Sequence, residues 1–171
     1  QSMFYAGKGA LISHLNSQLD YLLAALPLDH QHNFQGSTIL LTAGANDILT
    51  LRSESWTDLL IECFTEWYSR GCDERISNAI ANFPAIQSGL TSLYNKLAIE
   101  ASGAKIRILG YPKMMQRDLG GCSVTGELDE ADWIDNQCVL LNNRFSAAVN
   151  TAKTNHPSVD IEFVSVYNHL T

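Results

Sequence analysis

An α/β fold with a parallel sheet between layers of helix is what this sequence predicts, and three observations carry the prediction. Short apolar runs near positions 38–43, 105–110 and 160–165 are separated from one another by sequence of helical period. The first run, "TILLTA", is apolar without alternation, which suits a strand covered on both faces. Strands joined through helices close as right-handed crossovers, so the helices fall on both sides of the sheet in a three-layer α/β/α sandwich.

Each element follows from its residues. Leu11, Leu15, Leu19, Leu22 and Leu26 recur at three or four residues, predicting an amphipathic helix that Pro27 ends. The polar loop "DHQHNFQGS" leads into the first strand. Helical spacing returns after Ser55 and again through Ile76, Ile80, Phe83, Ile86, Leu90, Leu93 and Leu97, with Pro84 placed to kink or divide that segment. "KIRILGYP" is the second strand and "VDIEFVSV" the third. Between them a long helix carries Ile134, Cys138, Leu141, Phe145, Ala148 and Ala152, starting near a carboxylate cap at Asp129. The 171 residues read as one domain, 1–171.

Composition excludes several partners. A net charge of −7 and no basic patch argue against nucleic acid and anionic lipid. The apolar runs fall short of the roughly 18–20 residues of a membrane span, and "QSMFYAGKGA" lacks the order of a signal peptide. No Cys/His cluster has zinc spacing, and neither a metal nor a cofactor is expected. Cys63 with Cys72, and Cys122 with Cys138, read as two short-range disulfides of an oxidising, extracellular compartment, the alternatives being other pairings or buried thiols. His30 and His32 read as solvated, Ser102 to Lys105 as a turn, and Trp56, Trp67 and Trp133 as core.

Ligands of parallel sheets bind beyond the carboxyl ends of the strands. Three segments converge there: "GAND" after the first strand, "GYPKM" after the second and "YNHLT" after the third. Asn46 on its Gly-rich turn offers a side-chain amide of the kind that stabilises an oxyanion. The competing reading is that Asn46 and Asp47 only cap the following turn.

The "TAGAND" loop resembles the Gly-x-Asn-Asp block of the SGNH (GDSL) hydrolases, and "RILGYPKM", the long Asn-containing helix and "VDIEFVSV" are similar in order to the later half of their secreted, disulfide-containing lipases and esterases. "YAGKGALISHLNSQLDYL" is similar to the segment of the second block, whose glycine gives a backbone N–H to the oxyanion; Gly9 is the best match and Gly7 the alternative. The resemblance implies a flavodoxin-like SGNH fold and ester hydrolysis by a serine, with a histidine base and an oxyanion site from Gly9 and Asn46. Asp47 would support the loop.

This chain departs from the family pattern at both ends. It contains no Gly-Asp-Ser, and Ser2 is too near the second block to serve. The residue three before His169 is Val166 rather than aspartate, which leaves His169 a weak candidate base. The expectation is therefore a domain lacking its first strand and incomplete at both ends, inactive alone, whose nucleophile lies outside the chain. Its partners are a small-molecule ester or an acylated glycan or lipid, together with the missing segments of the same protein. The alternative is a catalytically inactive relative that binds glycan, lipid or protein in the same cleft.

Overall fold

The computed structural model describes residues 11–25, 34–48, 72–113 and 128–167. Within them the chain runs α1 (Ile12–Ala25), β1 (Thr38–Leu41), a single 3-10 turn (Ala45–Ile48), α2 (Cys72–Ala81), α3 (Phe83–Glu100), β2 (Lys105–Leu109), α4 (Leu128–Asn155) and β3 (Asp160–Val164). This is the element order the apolar periodicity predicts. Helical sequence after Ser55 lies outside the described residues.

The three strands are parallel in the order β1-β2-β3, as crossovers through helices require. Register places Ile39 beside Ile106 and Ile161, and Leu41 beside Ile108 and Phe163. That face is the buried one. Ile106, Ile108 and Ile161 are fully enclosed, beneath Leu90, Leu93 and Tyr94 of α3 and Leu141, Phe145 and Ala148 of α4. Each such aliphatic side chain contributes about 1.5–3 kcal/mol when fully buried, so the two helices and the sheet hold one another.

Pro84 divides the helical segment after Cys72: α2 stops at Ala81, Asn82 turns, and α3 restarts at Phe83 with the proline in its first turn, where no N–H is missed. Two expectations shift. The buried edge of α1 runs through Ile12 and Leu19 with Leu11, Leu15 and Leu23 half-buried, so Ile12 and Leu23 join the predicted stripe, of which Leu22 and Leu26 are not described. Helix α4 begins at Leu128, so Asp129 falls inside its first turn rather than at the cap.

The described helices and one face of the sheet share a single core, two of the three expected layers. On the opposite face Leu40 is 66% exposed, so among the described residues "TILL" is covered on one side. Beside it Arg107 pairs with both oxygens of Asp160, at 2.8 and 3.2 Å, and with Glu162 at 3.4 Å. Such exposed pairs are screened by solvent and add little stability; here they join neighbouring strands in the observed register. Among the described residues no helix is long and apolar enough to cross a membrane.

Candidate active site

The carboxyl ends of the three strands gather the segments that sequence pattern placed there. Thr42, just past β1, donates its hydroxyl to the Leu109 carbonyl at 3.1 Å. Past β2, the Gly110 N–H reaches the Val164 carbonyl at 3.0 Å and the Lys113 N–H reaches the Tyr167 carbonyl at 3.1 Å. The three strand ends are thus stitched into one rim, by a side-chain hydroxyl on one side and by backbone bonds on the other.

Gly44 opens the turn that holds Asn46. Its φ of +109° lies in the left-handed region, and a β-carbon there would sit 3.1 Å from the ring of Phe145 and 3.3 Å from Leu90, so glycine lets the turn settle onto the core. Ala43 and Ala45 are buried while Asn46 and Asp47 are half-buried. The Asp47 N–H closes the turn on the Gly44 carbonyl at 3.2 Å.

Asp47 also reaches out of its own loop. Its carboxylate accepts the backbone N–H of Ile12 through Oδ1 at 3.1 Å and Oδ2 at 3.0 Å. Ile12 is the first residue of α1, whose first turn has no acidic residue of its own, so Asp47 supplies the negative charge and the acceptor that a helix N-terminus wants. The neighbouring Leu11 N–H goes to Nδ1 of His14 at 3.2 Å. Burial raises the Asp47 pKa above the usual carboxylate value; the Ile12 N–H and nearby His14 oppose that rise.

Gly9 lies outside the described residues, three positions before Ile12. His169 is also outside them, two positions after Tyr167. Cys63 and Cys122 fall outside as well, and of Cys72 only its place at the start of α2 is described. Cys138 corrects the disulfide expectation: it is a free thiol, 1% exposed on the core-facing side of α4. Burial, then the charge of Asp135, pushes its pKa up to about 11. Its place in the apolar stripe accounts for the residue without a bridge.

Sequence pattern gave no role to three residues of this rim. Asn142, 7% exposed, accepts the Tyr111 N–H at 2.7 Å with Oδ1 and donates Nδ2 to the Tyr111 carbonyl at 2.9 Å. Tyr111 packs on Phe145 with ring centroids 5.7 Å apart, and burial pushes its phenol pKa up to about 12. Buried Asp135 pairs with Lys113 at 3.3 Å, and the Tyr167 hydroxyl donates to the Asp135 carbonyl at 3.4 Å. The only advance signal was polarity inside the apolar stripe of α4, at positions 135 and 142. Among the described residues no three His, Cys, Asp or Glu side chains cluster as a metal site would need.

The architecture is an α/β fold, a parallel sheet packed against helices. Two solved structures share it. A phospholipase A1 from Streptomyces albidoflavus is similar at a TM-score of 0.61 and 24% identity, over 88% of this chain and 56% of its own. An extracellular lipase from Streptomyces rimosus is similar at 0.62 and 20% identity, over 93% of this chain and 58% of its own. The chain therefore spans a little over half the length of either enzyme. No protein-family model matches the chain, and no curated protein matches it.

Proposed function

We propose that this chain is the middle and later part of a secreted carboxylic-ester hydrolase, in which Asn46 and Gly9 form the oxyanion site and the nucleophilic serine is contributed from outside these 171 residues. The observation that carries this reading is the bond from Ile12 to Asp47. It ties the start of α1, three residues past Gly9, to the turn bearing Asn46. Gly9 itself lies outside the described residues, and its backbone N–H is the second donor of this proposal.

In this reading a serine attacks the ester carbonyl, a histidine takes its proton, and the negative oxygen is met by the Asn46 amide and the Gly9 N–H. Asp47 holds the turn of Asn46 to the first residue of α1. No cofactor enters. The fold shared with a phospholipase A1 and an extracellular lipase favours a lipid or other acyl ester as substrate, and a secreted protein.

The test is the rate of hydrolysis of a short-chain aryl ester by the 171-residue chain and by a longer gene product carrying Gly-Asp-Ser before it and Asp-x-x-His after it. The chain alone should be silent and the longer form active. Inhibitor-sensitive turnover by the chain alone would place the nucleophile within it, with Ser2, Ser102 and Ser165 the first to replace. A silent longer form would favour the binding-only relative.

A further inference from the structure

We propose that Lys113, Asp135 and Tyr167 are positioning residues for catalysis, a closed triangle of contacts that sets where the chain leaves the rim toward the histidine base. The inference rests on the reading of this chain as part of a serine ester hydrolase whose base follows the third strand.

Three contacts between three elements make the triangle. From the loop after β2, Lys113 places Nζ 3.3 Å from Oδ2 of Asp135 and gives its N–H to the Tyr167 carbonyl at 3.1 Å. From the loop after β3, Tyr167 gives its hydroxyl to the Asp135 carbonyl at 3.4 Å. Lys113 is thus held by its ammonium and its backbone, Tyr167 by its hydroxyl and its backbone, and both meet helix α4 at one residue. Tyr167 cannot swing about its carbonyl without losing the hydroxyl contact.

Stability alone gives little reason for an ion pair at this place. The Asp135 side chain is 7% exposed, two turns into α4 and three positions before the enclosed Cys138. A carboxylate taken out of water there destabilises unless it is paired, and an apolar side chain of similar volume commonly serves stability as well or better. Location gives a reason. Tyr167 stands three residues past the end of β3, beside the bond from the Gly110 N–H to the Val164 carbonyl that closes the strand ends together. Every later residue is reached through Tyr167, and so is the histidine of the proposed reaction, whether it is His169 or one further on.

That histidine has two tasks in acyl transfer. It takes the serine proton, then gives it to the leaving oxygen. A nitrophenolate leaves with little help, whereas an alkoxide needs the proton. A displaced histidine therefore penalises alkyl esters more than aryl esters, while general loosening of the fold penalises both alike. In the longer form, Tyr167→Phe and Asp135→Asn should each lower kcat/KM on an ethyl ester about 10-fold, and on the p-nitrophenyl ester of the same acid about 3-fold or less. Equal losses on the two esters, or no loss on either, overturn the proposal.

The parent enzyme separates this inference from the reading beneath it. A longer form that hydrolyses neither ester overturns the hydrolase reading and the proposal with it. A longer form active on both, with both variants unchanged, leaves the reading standing and removes only the role of the triangle. Should the variants not fold, deuterium exchange of the parent decides: a Lys113 amide exchanging as fast as an open loop amide overturns the triangle, and one protected at least about 10-fold supports it.

Discussion

Asp47 holds Ile12 across 35 positions of sequence, each carboxylate oxygen about 3 Å from the same backbone N–H. A helix N-terminus is capped by a residue from another loop, and the cap and the candidate catalytic turn are one unit. Replacing Asp47 by Ala should cost about 1–2 kcal/mol of stability in chemical denaturation. Asparagine should cost less, since it keeps an acceptor and removes a charge that burial disfavours. The sign at low pH follows: with its folded pKa raised, Asp47 contributes most below the unfolded value of 3.8, and that contribution is lost as pH rises through the folded value. Asp47→Asn should remove this dependence, and an unaltered acid limb would contradict it.

Gly110 should tolerate no β-carbon. Alanine there must displace Asn142 or Phe163 from 2.8 Å contacts, and Asn142 cannot yield without breaking both bonds to Tyr111. A loss of about 1–3 kcal/mol is expected from overpacking of this kind, read from the shift in denaturation midpoint at unchanged slope. A variant as stable as the parent would mean the rim is loosely held.

At alkaline pH the core should loosen in a definable order. Cys138, raised from 9.0 to about 11, and Tyr111, raised from 10.0 to about 12, both keep their protons longer folded than unfolded. Their contributions are intact below the unfolded pKa values and are lost as pH climbs through the folded ones. Burial raises the Tyr94 pKa further still, with the same sign. Stability should fall from about pH 9, and Tyr111→Phe should remove up to about 2 kcal/mol of the fall between pH 10 and 12. The same slope in parent and variant would contradict the burial of the phenol.

The Cys138 thiol should resist alkylation in the native state and react on unfolding. Only the thiolate attacks, and both its raised pKa and its 1% exposure oppose reaction. Peptide mapping after a native-state pulse of iodoacetamide reads this directly. Recovery of a disulfide-linked Cys138 peptide from unreduced protein would restore the bridge that spacing alone suggested.

Much of the fold was legible because burial writes itself locally. The apolar runs that became β1, β2 and β3 and the stripe from Cys138 to Ala152 are periodic within a few residues, and Pro84 marks its helix break on its own. The site was legible only in part. The turn at Gly44–Asp47 follows from a glycine beyond a strand, but the partners that hold it do not. Asp47 meets Ile12 at a separation of 35 and Asn142 meets Tyr111 at 31, through hydrogen bonds that no local period encodes. A polar residue in an apolar stripe says that a partner exists without saying which.

Asn46→Ala is the substitution on which the proposed chemistry turns. The neighbouring backbone donor of Asp47 is already engaged with the Gly44 carbonyl at 3.2 Å. If the turn stabilises an oxyanion, the Asn46 side chain is the group it contributes. Removing one such donor costs about 100-fold to 1000-fold in kcat, because the bond is strongest when charge has moved onto the oxygen. KM should change far less, since the ground-state carbonyl makes little of the same contact. The measurement is kcat and KM on a short-chain aryl ester for parent and variant of the longer form, with thermal unfolding to show that both are folded. A folded Asn46→Ala protein with the parent's kcat would leave Asn46 a turn residue and move the search for the donor to another part of the rim.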